Sequence, residues 1–100
     1  MDDPFESASS EADLKYVIQK KPVPRYTETA RQAGVEGKVV LLLVLDRDAT
    51  VKHILVIKSL PYGLTGNCIE AARNIKFLPA MKNGLPVIRI AFVEYHFSLH

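Results

Sequence analysis

Val39 to Leu45 is a run of seven apolar residues, the longest in the chain. It is far shorter than the ~20 residues a membrane-spanning helix requires. It reads as a β-strand over Gly37 to Asp46, with Val39, Leu41, Leu43 and Leu45 on one face and Val40, Leu42 and Val44 on the other. Asp46-Arg47-Asp48-Ala49-Thr50 then has turn composition, and Val51 to Ser59 is a second strand. The pair makes a β-hairpin, although its turn lacks the usual Asn-Gly or Asp-Gly.

The remaining elements are arranged around this hairpin. Tyr26 to Ala33 reads as a short helix with Thr27 as N-cap, Gly34 as the stop, and Ala30 and Ala33 toward the core. Leu64 to Phe77 reads as a longer helix capped by Thr65 and closed by Pro79, with Leu64, Cys68, Ala72 and Ile75 on one stripe. Lys82-Asn83-Gly84 is a turn, and Pro86 opens a last strand in which Val87, Ala91, Val93, Tyr95, Phe97 and Leu99 share a face. Leu14, Tyr16 and Ile18 alternate with their neighbours as a short extra N-terminal strand would, ending at Pro22 and Pro24. The expected fold class is α+β: a three-stranded antiparallel sheet, with or without the extra N-terminal strand, and two helices packed on one face. Residues 1–13, acidic and Ser-rich, form a flexible lead-in to a domain over residues 14–100.

Chemistry-bearing constellations are missing. His53, His96 and His100 are not spaced as metal ligands, and there is no glycine-rich phosphate loop or nucleophile turn. Cys68 falls on the apolar stripe of the second helix, as a structural thiol does. Asp46 and Asp48 belong to an ordinary acidic turn. No enzyme activity, cofactor or metal is expected. The formal net charge of +2, with no massed basic run, gives no nucleic-acid footprint. Met1-Asp2-Asp3-Pro4 lacks the features of a secretory signal, so the chain is either cytoplasmic or part of something longer.

Three ordered stretches carry a family resemblance: Pro24 to Gly37; Val51 to Ser59 followed by Tyr62-Gly63-Leu64; and Ala71 to Ala80 followed by Lys82 to Val87. Together, over roughly residues 22 to 99, they resemble the C-terminal domain of TonB-family energy transducers. That resemblance implies a periplasmic, non-catalytic binding module, tethered to the inner membrane by a segment this chain does not contain. It further implies capture of the TonB box of an outer-membrane transporter as an added β-strand, driven by an inner-membrane proton-motive-force complex. By position, Val23, Pro24, Arg25 and Tyr26 correspond to the receptor-contacting segment, and Arg89, Ile90, Ala91, Phe92, Val93 and Glu94 to the strand edge offered to the peptide. The chain departs from the family at Thr27, Gly66, Asn67 and Ile75. A TolA-like or other cell-envelope interaction domain is the alternative.

The second sheet face is unusually apolar. Val40, Leu42, Val44, Leu55, Ile57 and Ile88, with Ile90 and Phe92, point away from the expected helices. A solvated face would alternate apolar with polar residues. This is a candidate homodimer face, or a face covered by residues 1 to 20 folding back.

Overall fold

The computed structural model describes residues 15–99. The lead-in expected over residues 1–13, and Leu14 of the expected N-terminal strand, lie outside the described residues.

The apolar run becomes β2 (Gly37–Leu45), the central strand of a three-stranded antiparallel sheet. It pairs on one side with β3 (Val51–Lys58) and on the other with the last strand, β7 (Arg89–Phe97). Val39, Leu41, Leu43 and Leu45 are buried together with Ala91, Val93, Tyr95 and Phe97, so the period-2 pattern of both strands feeds one core. Two helices cover that face: α1 (Glu28–Gln32) through Ala30, and α2 (Leu64–Arg73) through Leu64, Cys68, Ala71 and Ala72. The architecture is thus α+β, with both helices on one side of the sheet.

The β2–β3 turn closes without Asn-Gly. The Asp46 N–H donates to the Thr50 carbonyl at 2.9 Å and the Ala49 N–H to the Asp46 carbonyl at 3.1 Å. The Asp48 carboxylate accepts from the Thr50 N–H at 3.1 Å and from its hydroxyl, and pairs with Lys52 at 2.9 Å. The Thr50 hydroxyl, and then Lys52, hold the Asp48 carboxyl below its ordinary range. The acidic turn is therefore used up in its own closure. Ala49 stands at φ +66°, in the left-handed region that disfavours a Cβ. Ala49→Gly is expected to raise stability by about 0.5–1 kcal/mol in urea denaturation, because relieved strain exceeds the added unfolded-state entropy.

Helix α1 forms as expected. Thr27 caps it, accepting from the Ala30 N–H at 3.1 Å, and Gly34 ends it at φ +70°. Ala33, expected in the core, is exposed because it is the C-cap, where the chain already leaves the helix.

Helix α2 is shorter than its pattern suggests. Gly63, at φ +81°, stands at the N-cap, while the Thr65 hydroxyl bonds both the N–H and the carbonyl of Leu60 at 2.8 Å and closes the preceding loop. The helix stops at Arg73 because Asn74 caps it, its amide donating to the Glu70 carbonyl at 2.9 Å. Ile75 still reaches the core, but Phe77 does so from a strand, β4 (Lys76–Leu78), not from the helix. Pro79 favours the extended conformation at Leu78.

The N-terminal strand β1 (Val17–Lys20) lies slightly later than the Leu14–Ile18 pattern and pairs antiparallel with β4, apart from the main sheet. The last segment also divides. β5 (Ala80–Lys82) and β6 (Leu85–Val87) form a hairpin through Asn83 and Gly84, at φ +52° and +79°, the combination a two-residue type I′ turn needs. Pro86 therefore belongs to β6, and β7 begins afresh at Arg89.

Candidate functional site

In the three-stranded order β3-β2-β7, the outer edge of β7 pairs with no described strand. Which of its backbone groups face outward follows from one contact. The Lys21 ammonium donates to the Glu94 carbonyl at 3.0 Å, so that carbonyl points away from β2. In an antiparallel ladder, residues alternate between facing the partner strand and facing away. Ile90, Phe92, Glu94 and His96 therefore turn their N–H and C=O groups toward the open edge. Ala91, Val93, Tyr95 and Phe97 turn theirs toward β2 and bury their side chains in the core. Of the six β7 residues expected to meet a peptide, the outward set is Ile90, Phe92 and Glu94. Ala91 and Val93 hold the strand in place, and Arg89 begins it.

Beside this edge runs Lys21-Pro22-Val23-Pro24-Arg25-Tyr26. Two prolines stiffen the segment, and three contacts fix it. Lys21 sits on Glu94 and 4.7 Å from the centroid of the Tyr95 ring. The Asn67 amide of α2 donates to the Arg25 carbonyl at 2.8 Å. The Tyr26 hydroxyl donates to the Val35 carbonyl, and its ring meets Phe97 edge-on at 5.3 Å between centroids. Arg31 lies 5.0 Å over the Tyr26 ring.

Held this way, the segment forms a ridge between two grooves. The groove on the β7 side, about 370 Å³, is lined by Lys21 to Pro24, Tyr26 and Glu94 to Ser98. The groove on the α2 side, about 300 Å³, is lined by Pro22 to Arg25, Asn67, Glu70, Ala71 and Asn74. Val23, on the crest between them, is 91% exposed. Val23 thus presents an apolar side chain to solvent on a backbone that the flanking prolines stiffen.

The structure brings the two expected halves of the site together at Glu94, while Arg89 to Val93 lie further along the edge, outside the groove. Lys21, Asn67 and His96 join the site although sequence reasoning passed over them. Glu94 is shared, its carboxylate lying 3.5 Å from Lys38 and 3.4 Å from His96.

Tyr95 supports the groove from beneath. Its hydroxyl is buried and has no hydrogen-bond partner among the described residues. Burial, and then the nearby Cys68, push its pKa from 10.0 up to about 12. Burial pushes the Cys68 thiol from 9.0 up to about 11, the state of an inert structural cysteine. Both groups hold their protons to higher pH when folded than when unfolded. The stability this contributes is complete below pH 9.0 and is lost as pH rises through about 11 for Cys68 and about 12 for Tyr95. Tyr95→Phe removes an unsatisfied buried hydroxyl. It is expected to raise stability by about 1–2 kcal/mol at neutral pH and to flatten the alkaline loss above pH 10.0, as read by urea denaturation across that range.

Of the six residues of the candidate dimer face, Val40, Leu42 and Val44 alternate with the core-facing residues of β2 and Leu55 pairs with Leu42, so these four share the side away from the helices, whereas an irregularity in β3 skips Ile57 in the register and Ile88 lies before β7. Leu55 and Ile57 are 47% and 52% exposed, and Val40, Leu42 and Ile88 are partly exposed, but Val44 is already buried within the monomer.

Among the described residues no cluster of three or more His, Cys, Asp or Glu could hold a metal, and no helix is long and apolar enough to cross a membrane. The arrangement offers backbone hydrogen bonds and an apolar ridge, the equipment for adding a peptide strand.

Comparison with known proteins bears on the family and the fold. The family described as Gram-negative bacterial TonB protein C-terminal matches residues 22–99. Protein TonB of Vibrio cholerae serotype O1 is 30% identical over 88 residues, covering 87% of this chain and 36% of that protein. The chain thus spans little more than a third of that relative's length. The solution NMR structure of the Pseudomonas aeruginosa TonB CTD has the same fold, with a TM-score of 0.69 at 24% identity over 89% of this chain and 91% of that one.

Proposed function

This chain belongs to the Gram-negative bacterial TonB protein C-terminal family, and from that premise we propose that it is the receptor-coupling domain of a TonB-type energy transducer. In this reading it works in the periplasm. It captures the TonB box of an outer-membrane transporter as a strand added to β7, and passes on force from an inner-membrane proton-motive-force complex through chain upstream of the domain. It binds and pulls, and catalyses nothing.

The observation that carries the reading is the open β7 edge flanked by the pinned Lys21–Tyr26 ridge. A peptide strand lying along Ile90 to His96 makes about five backbone bonds, each worth about 0.5–1.5 kcal/mol net. Their sum, about 2.5–7 kcal/mol, corresponds to dissociation constants from tens of millimolar down to about 10 μM. Side chains packing into the groove and against Val23 strengthen this. The result is a grip that forms and releases readily, as transient coupling demands. The Lys21 ammonium must leave the Glu94 carbonyl, or share it, when a strand docks there.

NMR titration of the domain with synthetic TonB-box peptides tests the proposal. Shifts are expected at the amides of Ile90, Phe92, Glu94 and His96, and along Val23 to Tyr26. An intact, unshifted spectrum at tens of millimolar peptide, about the weak end of the range above, would overturn it.

A further inference from the structure

Residues 15–27 and 71–93 contain no Asp or Glu, yet each stretch carries four Lys or Arg. Together they hold eight of the chain's thirteen basic residues and none of its eleven acidic ones. The fold brings the two stretches together, because β1 comes from the first and β4, β5 and β6 from the second, and β1 pairs with β4. Phe77 is buried, so its strand neighbours Lys76 and Leu78 face outward. Lys20 stands opposite Lys76, and Val17 opposite Leu78. One outward face therefore sets a cation pair beside an apolar pair, with Val17 and Leu78 each about half exposed. Past Pro79, the β5–β6 hairpin adds Lys82 and leaves Met81 and Leu85 exposed.

Neither pair suits a monomer in water. Like charges directly opposite each other on a sheet repel. Lys20, Lys76 and Arg73, at the end of α2, have no carboxylate partner among the described residues. Arg73 and Lys76 line one groove of about 350 Å³ with Gln19, Ala49 and Thr50. The β2–β3 turn that supplies Ala49 and Thr50 is acidic, but Asp48 is held by Thr50 and Lys52, and the Asp46 carboxylate accepts from the Arg47 N–H.

We propose that this face, built from β1, β4 and the β5–β6 hairpin, is a membrane-contact surface that lies on a bilayer containing anionic phospholipid. The charge and the apolar side chains together select that occupant. A small anion would answer the cations but leave Val17, Leu78, Met81 and Leu85 in water. An acidic polypeptide would have to bring carboxylates and apolar side chains in one fixed pattern, whereas lipid headgroups are mobile and gather wherever the cations stand. At a bilayer the headgroup phosphates meet the ammonium and guanidinium groups, and the apolar side chains enter the boundary just beneath. Lysine suits this arrangement, because its stem lies along apolar surface while its charged end stays with the phosphates. Such contact needs no spanning helix. Neither β7 nor Val23 belongs to this face, so membrane contact and strand capture are separate properties, tested apart.

Co-sedimentation of the full chain with lipid vesicles tests the inference. The chain is expected to pellet with vesicles of mixed phosphatidylglycerol and phosphatidylcholine at low salt, less so as salt screens the charges, and to stay in solution with phosphatidylcholine alone. Each basic side chain at an anionic surface is worth about a fivefold change in partition. Lys76→Glu removes a cation and adds an anion, and is expected to weaken binding at least about fivefold. It also sets a carboxylate opposite Lys20, so its melting temperature is expected to equal or exceed the parent's, which separates a lipid role from a structural one. Lys58→Glu makes the same change of net charge on β3, off this face, and is expected to leave binding within about twofold, since screened charges act only over about 10 Å. The exposed pair Val17→Ser and Leu78→Ser, made together, is expected to weaken binding severalfold through lost apolar burial. No binding to the anionic vesicles, or equal binding to phosphatidylcholine, would overturn the proposal. Equal losses in Lys76→Glu and Lys58→Glu would overturn it by showing general attraction without this face. Binding untouched by the two serines would overturn it by showing a site for anions alone.

Discussion

Phe92→Pro is expected to abolish peptide capture while the domain stays folded, and Val93→Pro, one residue along, is expected to unfold it. The contrast follows from the phase of β7. Glu94 turns its carbonyl outward to Lys21, so Phe92, two residues before it, turns its N–H outward as well, while Val93 pairs with Leu41 across the ladder. A proline at Phe92 removes a donor that the monomer leaves to solvent, and its ring projects into the lane where an added strand would lie. Edge strands tolerate proline at such positions. At Val93 a proline removes a donor that the Leu41 carbonyl needs in a buried strand pair, costing about 1–3 kcal/mol for the orphaned acceptor. It also loses buried packing. Against a total stability of about 5–15 kcal/mol, that is a large fraction. Circular dichroism melts would show a folded Phe92→Pro domain and a largely unfolded Val93→Pro domain. Titration of the folded variant with TonB-box peptide should show at least a tenfold loss of affinity. If Phe92→Pro binds as the parent does, the peptide does not use this edge.

The main sheet is legible in the sequence because strands that bury one face write their period into it. Ala91 to Phe97 does so except at Phe92, Val39 to Leu45 is legible instead as an unbroken apolar run of strand length, and the two pair in register with each other. Helix α2 is legible in position but not in extent. The apolar stripe runs on through Ile75 to Phe77, and nothing local separates a buried residue on a helix from one on a strand. The decision lies in pairing with β1, whose four residues are all exposed and so carry little periodic signal. The family resemblance pointed to the β7 edge and the Val23–Tyr26 segment. Lys21 and Asn67 were invisible because a lysine beside a proline, or an asparagine on a helix, has no distinctive pattern. Each gains its role from the carbonyl it reaches, on Glu94 in one case and Arg25 in the other.

Tyr26 is where the distinction between holding the site and being the site can be measured. It lines the groove, yet it is also packed against the core cluster, bonded through its hydroxyl to the Val35 carbonyl and stacked edge-on with Phe97. Tyr26→Ala is therefore expected to destabilise the domain by about 3 kcal/mol, combining lost aromatic burial with a lost hydrogen bond. Tyr26→Phe keeps the ring and the Phe97 contact and is expected to cost only about 1 kcal/mol. Urea denaturation of the two variants reads this difference. The Phe variant then allows a cleaner test of function. If Tyr26 serves the site by fixing the ridge, Tyr26→Phe weakens peptide binding only slightly, and Val23→Ser, which strips the exposed crest without touching the core, weakens it more. If Tyr26 contacts the partner through its hydroxyl, the order reverses. The structure favours the first outcome, because that hydroxyl is already committed to Val35, while Val23 has no such tie and stands bare on the crest.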